Sequence, residues 1–166
     1  MLKELWILIK MLFGQGPNEV EKVTLMGMNH FPFKGYSYLM WCGRMVYRND
    51  ALESRRREWL TKKYKVSKNH ETIHLMQAKA CGSWVKYYMK YLWEWLKGNP
   101  ITSPSSSAYY TCPFECEAYA NESDMNYCKD YDAGNIKKYT FKNRKKMYKN
   151  AGGTSKGWKE YLNSIP

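Results

Sequence analysis

The sequence predicts an α+β domain, mostly helical, with a small antiparallel hairpin, and three observations carry that expectation. Residues 36–42 and 44–48 are aromatic and β-branched runs joined at Gly43, the pattern of two short strands and a turn. Further on, two stretches bounded by capping and breaking residues, 69–81 and 84–97, read as helices. A chain of 166 residues with 44% apolar content can bury one sizeable core, and a 16% aromatic fraction excludes a disordered chain.

Residues 1–13 (MLKELWILIKMLF) are apolar but interrupted by Lys3, Glu4 and Lys10. The unbroken run from Leu5 to Ile9 is too short to span a bilayer, and no small-residue cleavage site follows it, so neither a transmembrane helix nor a signal peptide is expected. The pattern suits a terminal helix docked on the core, or a helix lying on a membrane surface between lysines. Gly14, Gly16 and Pro17 close this N-terminal amphipathic segment, residues 1–16. A loosely patterned stretch then leads to a His30-Phe31-Pro32-Phe33 turn and the hairpin. Residues 50–65 (DALESRRREWLTKKYK) read as a mostly exposed helix capped by Asp50.

Ser67 or Asn69 can cap the next helix, which runs to Cys81 and breaks at Gly82-Ser83. Residues 84–97 follow with Trp84, Tyr87, Tyr88, Tyr91 and Trp95 at helical spacing, which predicts a buried stripe and cleft wall; a membrane-interface helix is the rival. Gly98-Asn99-Pro100 stops it, and residues 101–107 form a polar loop. Pro113 suits a first helical position, with a helix continuing to about residue 128. The organisation expected is an N-terminal segment (1–16), a domain carrying the chemistry (17–133) and a basic segment (134–166) packed on that domain or trailing from it.

Lysine and arginine number 27 against 15 acidic residues, a formal charge of +12 that favours anionic surfaces. The basic C-terminal run is ordinarily a solvated face or loose tail, with an anionic partner as the sharper reading. A nucleic-acid role rests on charge alone, because no helix-turn-helix, zinc-finger or RNA-recognition signature is present. Five cysteines form an odd set with no C-x-x-C pair, which fits a reducing, cytoplasmic compartment, with peripheral membrane association as a further option.

The chemistry concentrates in His70-Glu71-Thr72-Ile73-His74, an H-E-x-x-H string inside a predicted helix. Residues four apart share a helix face with Cβ atoms about 5–6 Å apart, so two imidazoles can meet one zinc ion there. Glu71 then stands beside the metal's open position as a general base. The bland alternative is two histidines on an ordinary amphipathic helix. A catalytic zinc needs a third protein ligand. His30, beside a Phe-Pro-Phe turn, reads as a turn or packing residue. Glu115 and Glu117, near the start of the helix after Pro113, are better candidates, since zinc would compensate a buried carboxylate. They are offset by about 200° around a helix, so both cannot point at one ion. Cys112 and Cys116 are weak thiolate candidates, Cys81 reads as a small buried hydrophobe near the cleft, and Gln77 lies within a turn of His74.

The H-E-x-x-H helix followed by a helix bearing E-x-x-A resembles the gluzincins, zinc metallopeptidases in which two histidines and a downstream glutamate hold the metal. More closely, FPFKGYSY, NHETIHLMQ, the Tyr/Trp-rich helix and AYYTCPFECEAYANE resemble a group of small metallopeptidases common in Bacteroidetes; these segments cover residues 31–127. The resemblance implies a minimal zincin-like domain with His70, His74 and Glu115 as zinc ligands, Glu117 as the competing third ligand, and Glu71 as general base. It also implies a peptide or protein substrate, held as an added strand at the hairpin edge. Related enzymes often carry Asp four positions after the ligand glutamate, where this chain has Tyr119. Tyr119 is therefore expected either to donate a hydrogen bond to a histidine, carbonyl or substrate oxyanion, or simply to pack. The rival to an enzyme is a non-catalytic, zinc-stabilised binding protein acting at a membrane or nucleic-acid surface.

Overall fold

The computed structural model describes residues 1–32, 38–51, 62–99 and 105–165. Its sheet is built around β3 (Arg44–Arg48), which pairs antiparallel with β2 (Leu39–Trp41) and parallel with β1 (Thr24–Met28). The β2–β3 connection is the expected hairpin. Trp41 pairs with Arg44 across a two-residue turn, and Cys42 and Gly43 both have positive φ, as a type I′ turn requires. A Cβ on Gly43 would also press on the Val20 side chain at 2.7 Å. The sheet is mixed rather than purely antiparallel, because β1 comes from the stretch that looked unpatterned. Its sequence, TLMGM, shows no alternation, and it pairs only through a long connection.

β3 is buried on both faces, and its side chains divide the core. Met45 joins Val23, Leu75, Ala78, Trp84, Tyr87 and Phe114 on one side, where Tyr64 points its hydroxyl at the Met45 sulfur. Val46 joins Met28, Phe31 and Leu8 of α1 (Leu2–Phe13) on the other. Trp41 stitches the layers, donating its indole N–H to the Leu8 carbonyl and stacking on Tyr88 with centroids 4.6 Å apart.

The helix bearing the histidines, α2, spans Lys62–Cys81. It starts well before the expected caps, so Ser67 and Asn69 lie inside it. Asn69 caps a different element, donating to the carbonyls of Asn121, Glu122 and Asp124 at 2.8–3.3 Å. Of the helix expected over 50–65, residues 52–61 lie outside the described residues; Asp50 sits in a 3₁₀ turn, Asn49–Ala51, and Lys62–Lys65 belong to α2. Gly82, at φ +75°, ends α2, and the Ser83 side chain accepts from Lys86 N–H to start α3 (Trp84–Lys97). On α3, Trp84 and Tyr87 are buried and Tyr88, Tyr91 and Trp95 half-buried, while its far face exposes apolar side chains of its own.

Two shorter helices follow, α4 (Ser105–Tyr110), partly within the expected polar loop, and α5 (Pro113–Asn121). Pro113 opens α5 as anticipated. It stops at Asn121 instead of near residue 128, since the following stretch is pinned by Asn69 and folded into turns. The basic C-terminal region carries a 3₁₀ turn, Asn135–Tyr139, and helices α6 (Arg144–Asn150) and α7 (Ser155–Asn163). Tyr139, Tyr148, Trp158 and Leu162 bury themselves around Cys116 of α5, while most of the lysines face solvent.

Arg144 of α6 ties this region to α3, donating to the Glu94 carbonyl at 2.7 Å and to the Glu94 carboxylate. Burial would raise the Glu94 carboxyl, but hydrogen bonds from Lys97 and Arg144 outweigh it and hold the group below its ordinary value of 4.5. A carboxylate depressed in the folded state stabilises it fully above its unfolded value, and loses that effect as pH falls through the lowered one. We predict that Glu94→Ala costs about 1–3 kcal/mol at neutral pH, because Arg144 is left nearly buried with one bond fewer. Urea unfolding at pH 7 and below pH 4 should show the variant and parent converging in acid; an equal difference at both pH values would remove the pair from the account.

Candidate metal centre

Helix α2 turns His70 and His74 toward the first turn of α5, where Glu115 sits. All three side chains are buried, at 6%, 4% and 3% exposure, although no ordinary apolar packing would select these residue types. The two imidazole Nε2 atoms stand 3.2 Å apart, and Glu115 lays Oε2 3.4 Å from the His70 nitrogen and Oε1 3.4 Å from the His74 nitrogen. A carboxylate in the first turn of a helix also suits the local N–H groups and dipole.

The outer hydrogen bonds fix how the rings present themselves. Gln77 donates through Nε2 to the Phe114 carbonyl at 3.0 Å and to Glu117 at 2.8 Å, so its carbonyl oxygen faces His74 Nδ1, 2.8 Å away. Glu122 receives His70 Nδ1 at 3.0 Å. Both Nδ1 atoms therefore donate outward, which leaves the two Nε2 atoms, facing one another and Glu115, as the positions that take a proton or, in neutral rings, offer a lone pair to a metal. Tyr91 donates to Glu115 Oε1 at 2.7 Å. Glu115 Oε2 is, among the described residues, the buried side-chain polar atom left with no hydrogen-bond partner.

Two converging Nε2 atoms beside an orphaned carboxylate oxygen form a group that could hold a metal ion. The His₂Glu donor set is one that zinc accepts, and ligand atoms on a tetrahedron with bonds of about 2.0–2.1 Å lie about 3.3–3.4 Å apart. The two Nε2 atoms, 3.2 Å apart, fit that spacing, and each stands 3.4 Å from its own Glu115 oxygen, with one ligand atom from each residue lying within 4.8 Å of the others. His70, His74 and Glu115 are also the three-residue ligand group found among the described residues. The charges already respond to one another. Burial would raise the Glu115 carboxyl, but His74 and His70 hold it far below the usual carboxylate range; burial would depress both histidines, but Glu115, with Glu122 at His70, pushes them upward.

Glu71 is half-buried on the same helix. Burial raises its carboxyl, Glu115 and Glu122 add to the rise, and His70 and His74 oppose it. A carboxyl with an elevated proton affinity is suited to taking and returning a proton near neutral pH.

Glu117 is fully buried but faces elsewhere, accepting from Gln77 and from the Tyr127 hydroxyl at 2.8 Å, with Tyr131 at 3.4 Å. Tyr119 lies with its ring against His70, centroids 4.5 Å apart, and its hydroxyl 3.5 Å from that of Tyr109, so it is a packing surface for the ligand ring. His30 is remote from the group, its Nδ1 3.0 Å from Glu4 on α1. The five cysteines are free thiols; burial pushes the Cys112 thiol up to about 12, and Cys116 sends its thiol toward the Tyr110 carbonyl. Cys81 packs at the edge of the central cluster.

Sequence reading missed three supports. Tyr91 looked like one more member of an aromatic stripe, and nothing local marks it as the Glu115 partner. Glu122 lies seven residues past Glu115, two helical turns on, which is the one signal that could have found it. Lys159 of α7 reaches Glu122 at 3.0 Å and sits 4.0 Å above the Tyr119 ring, linking the basic C-terminal region to His70. Outer partners of this kind commonly set metal affinity by about 10–100-fold. Glu122→Ala is accordingly predicted to weaken zinc binding by about that factor in a competition titration against a chromogenic chelator; unchanged affinity would mean that Glu122 does not orient His70.

Comparison of the chain with protein-family models, with curated proteins and with solved structures found no match.

Proposed function

We propose that this protein is a zinc metallopeptidase of the gluzincin type. The observation that carries the reading is the buried convergence of His70, His74 and Glu115 around an unpartnered carboxylate oxygen, with Glu71 next to the first ligand in sequence. When bound, zinc supplies Lewis acidity toward a peptide carbonyl and makes water more acidic. The rest of the task falls to the chain. His70 and His74 hold the ion with rings locked by Glu122 and Gln77, and Glu115 is held by Tyr91. Glu71 accepts the proton of the attacking water and returns it to the departing amine nitrogen, the acid–base work for which its raised proton affinity is suited.

A structural zinc would be served by four protein ligands and would have no use for an adjacent carboxylate. The three-ligand group and Glu71 together favour catalysis over a zinc-stabilised binding protein. The test is hydrolysis of a quenched fluorescent peptide library by the zinc-loaded protein. We expect cleavage that a chelator removes and added zinc restores. Zinc uptake with no cleavage across the library would instead support the binding protein.

A further inference from the structure

Helices α1 and α3 each bury one face and expose a second apolar one. On α1, Leu8 is buried and Met11 and Leu12 pack inward, yet Leu2, Trp6, Ile9 and Phe13 line the outer side, with Leu2 and Phe13 more than three-quarters exposed. On α3, inward Trp84 and Tyr87 are opposed by outward Val85, Met89, Leu92 and Leu96. Both outer stripes have the same four-three-four spacing, that of a continuous helix face. A helix apolar on nearly all sides is ordinarily buried in a core or in lipid.

A lysine-on-tryptophan contact also recurs on both helices. Trp6, within the α1 stripe, and Trp93, at the edge of the α3 stripe, are 58% and 62% exposed, and each carries a lysine over its ring: Lys10 at 5.5 Å and Lys97 at 5.6 Å. Lys3 lies seven residues from Lys10 on the same side of α1, and Lys86 and Lys90 fall on the Lys97 side of α3. An apolar face with an exposed tryptophan and lysines along its flank is the arrangement of a helix lying in a membrane interface. At the end of α3 a groove of about 730 Å³ continues the positive surface, lined by Lys97, Lys142, Lys145, Lys146 and Lys149. The helices are neighbours, since Trp84 of α3 donates to the carbonyl of Gln15 just past α1. No helix among the described residues is long and apolar enough to cross a membrane.

We propose that the outer faces of α1 and α3 dock the protein on the surface of an anionic lipid bilayer, the apolar stripes entering the headgroup boundary and the lysines, with those of the groove, meeting lipid phosphates. Charge complementarity selects this occupant. A second copy would bring the same lysines against themselves in a chain of net charge +12. Of the nearby carboxylates, Glu94 pairs with Lys97 but is shared with Arg144, and Glu4 is engaged by the backbone of Asn29 and His30, so Lys3, Lys10, Lys86 and Lys90 are not offset by these two.

The test is flotation of the full chain with vesicles of phosphatidylcholine alone, or of phosphatidylcholine mixed with phosphatidylglycerol. Binding should require the anionic lipid and weaken with added salt. The double variant Met89→Gln/Trp93→Gln should lose about tenfold or more of that binding at an unchanged melting temperature, since both side chains already face water. If the variant fails to fold, quenching of the parent's tryptophan fluorescence by lipids brominated in their acyl chains gives an independent readout. No binding to either vesicle, equal binding to both, or full binding by the folded double variant would overturn the proposal. So would a dimer, seen by light scattering, that the double variant dissociates while neither vesicle is bound.

Discussion

Glu71→Gln should leave the fold and zinc content unchanged and lower peptide hydrolysis by about 10²–10⁴-fold, the usual contribution of a positioned general base. The expectation rests on the division of labour in the buried group. The three converging donors are His70, His74 and Glu115, and Glu71 is not among them. An isosteric amide keeps the helix surface and its half-buried volume, but it cannot take a proton from water or return one to a leaving amine. Loss should therefore appear in kcat, with KM little changed, because ground-state binding of a peptide does not depend on that proton. Should Glu71→Gln lose its zinc, Glu71 would be a ligand and the assignment of Glu115 would need revision. Should it retain full activity, proton transfer must be handled elsewhere.

The second large effect belongs to the ligands. His74→Ala removes one of three donors and leaves His70 and Glu115 beside a cavity, with Gln77 deprived of its imidazole partner. Zinc binding should collapse, and with it the stabilisation that zinc confers on the folded chain. For the parent, free zinc at about a thousand times its Kd adds about 4 kcal/mol by mass action, visible as a rise in Tm. The variant should show no such rise. Metal-free parent and metal-free variant should also differ, because loss of His74 leaves Glu115 with fewer positive neighbours in a buried place.

What was legible in the sequence was what is local. Two histidines four apart on a helix define their own geometry, and a Cys-Gly turn between two β-rich runs defines a hairpin. The choice of Glu115 over Glu117 came from family resemblance, and the structure separates the two because Gln77, Tyr127 and Tyr131 claim the Glu117 carboxylate. Partners supplied by distant elements left no local trace. Tyr91 serves Glu115 from α3, Lys159 serves Glu122 from α7, and Asn69 resembled a helix start while capping the end of α5. β1 was invisible for a related reason, since a short strand with Met and Gly shows its nature only when β3 pairs with it. In the C-terminal region lysines masked the widely spaced Tyr148, Trp158 and Leu162 that anchor it.

The central claim is that His70, His74 and Glu115 hold one zinc ion, and the most direct measurement is metal stoichiometry. The parent and His74→Ala would be stripped with a chelator, reloaded with excess zinc, freed of loose metal by gel filtration, and assayed by elemental analysis. The account predicts one equivalent of zinc per chain in the parent and background in the variant. Equal zinc in both, or none retained by a folded parent, would contradict it.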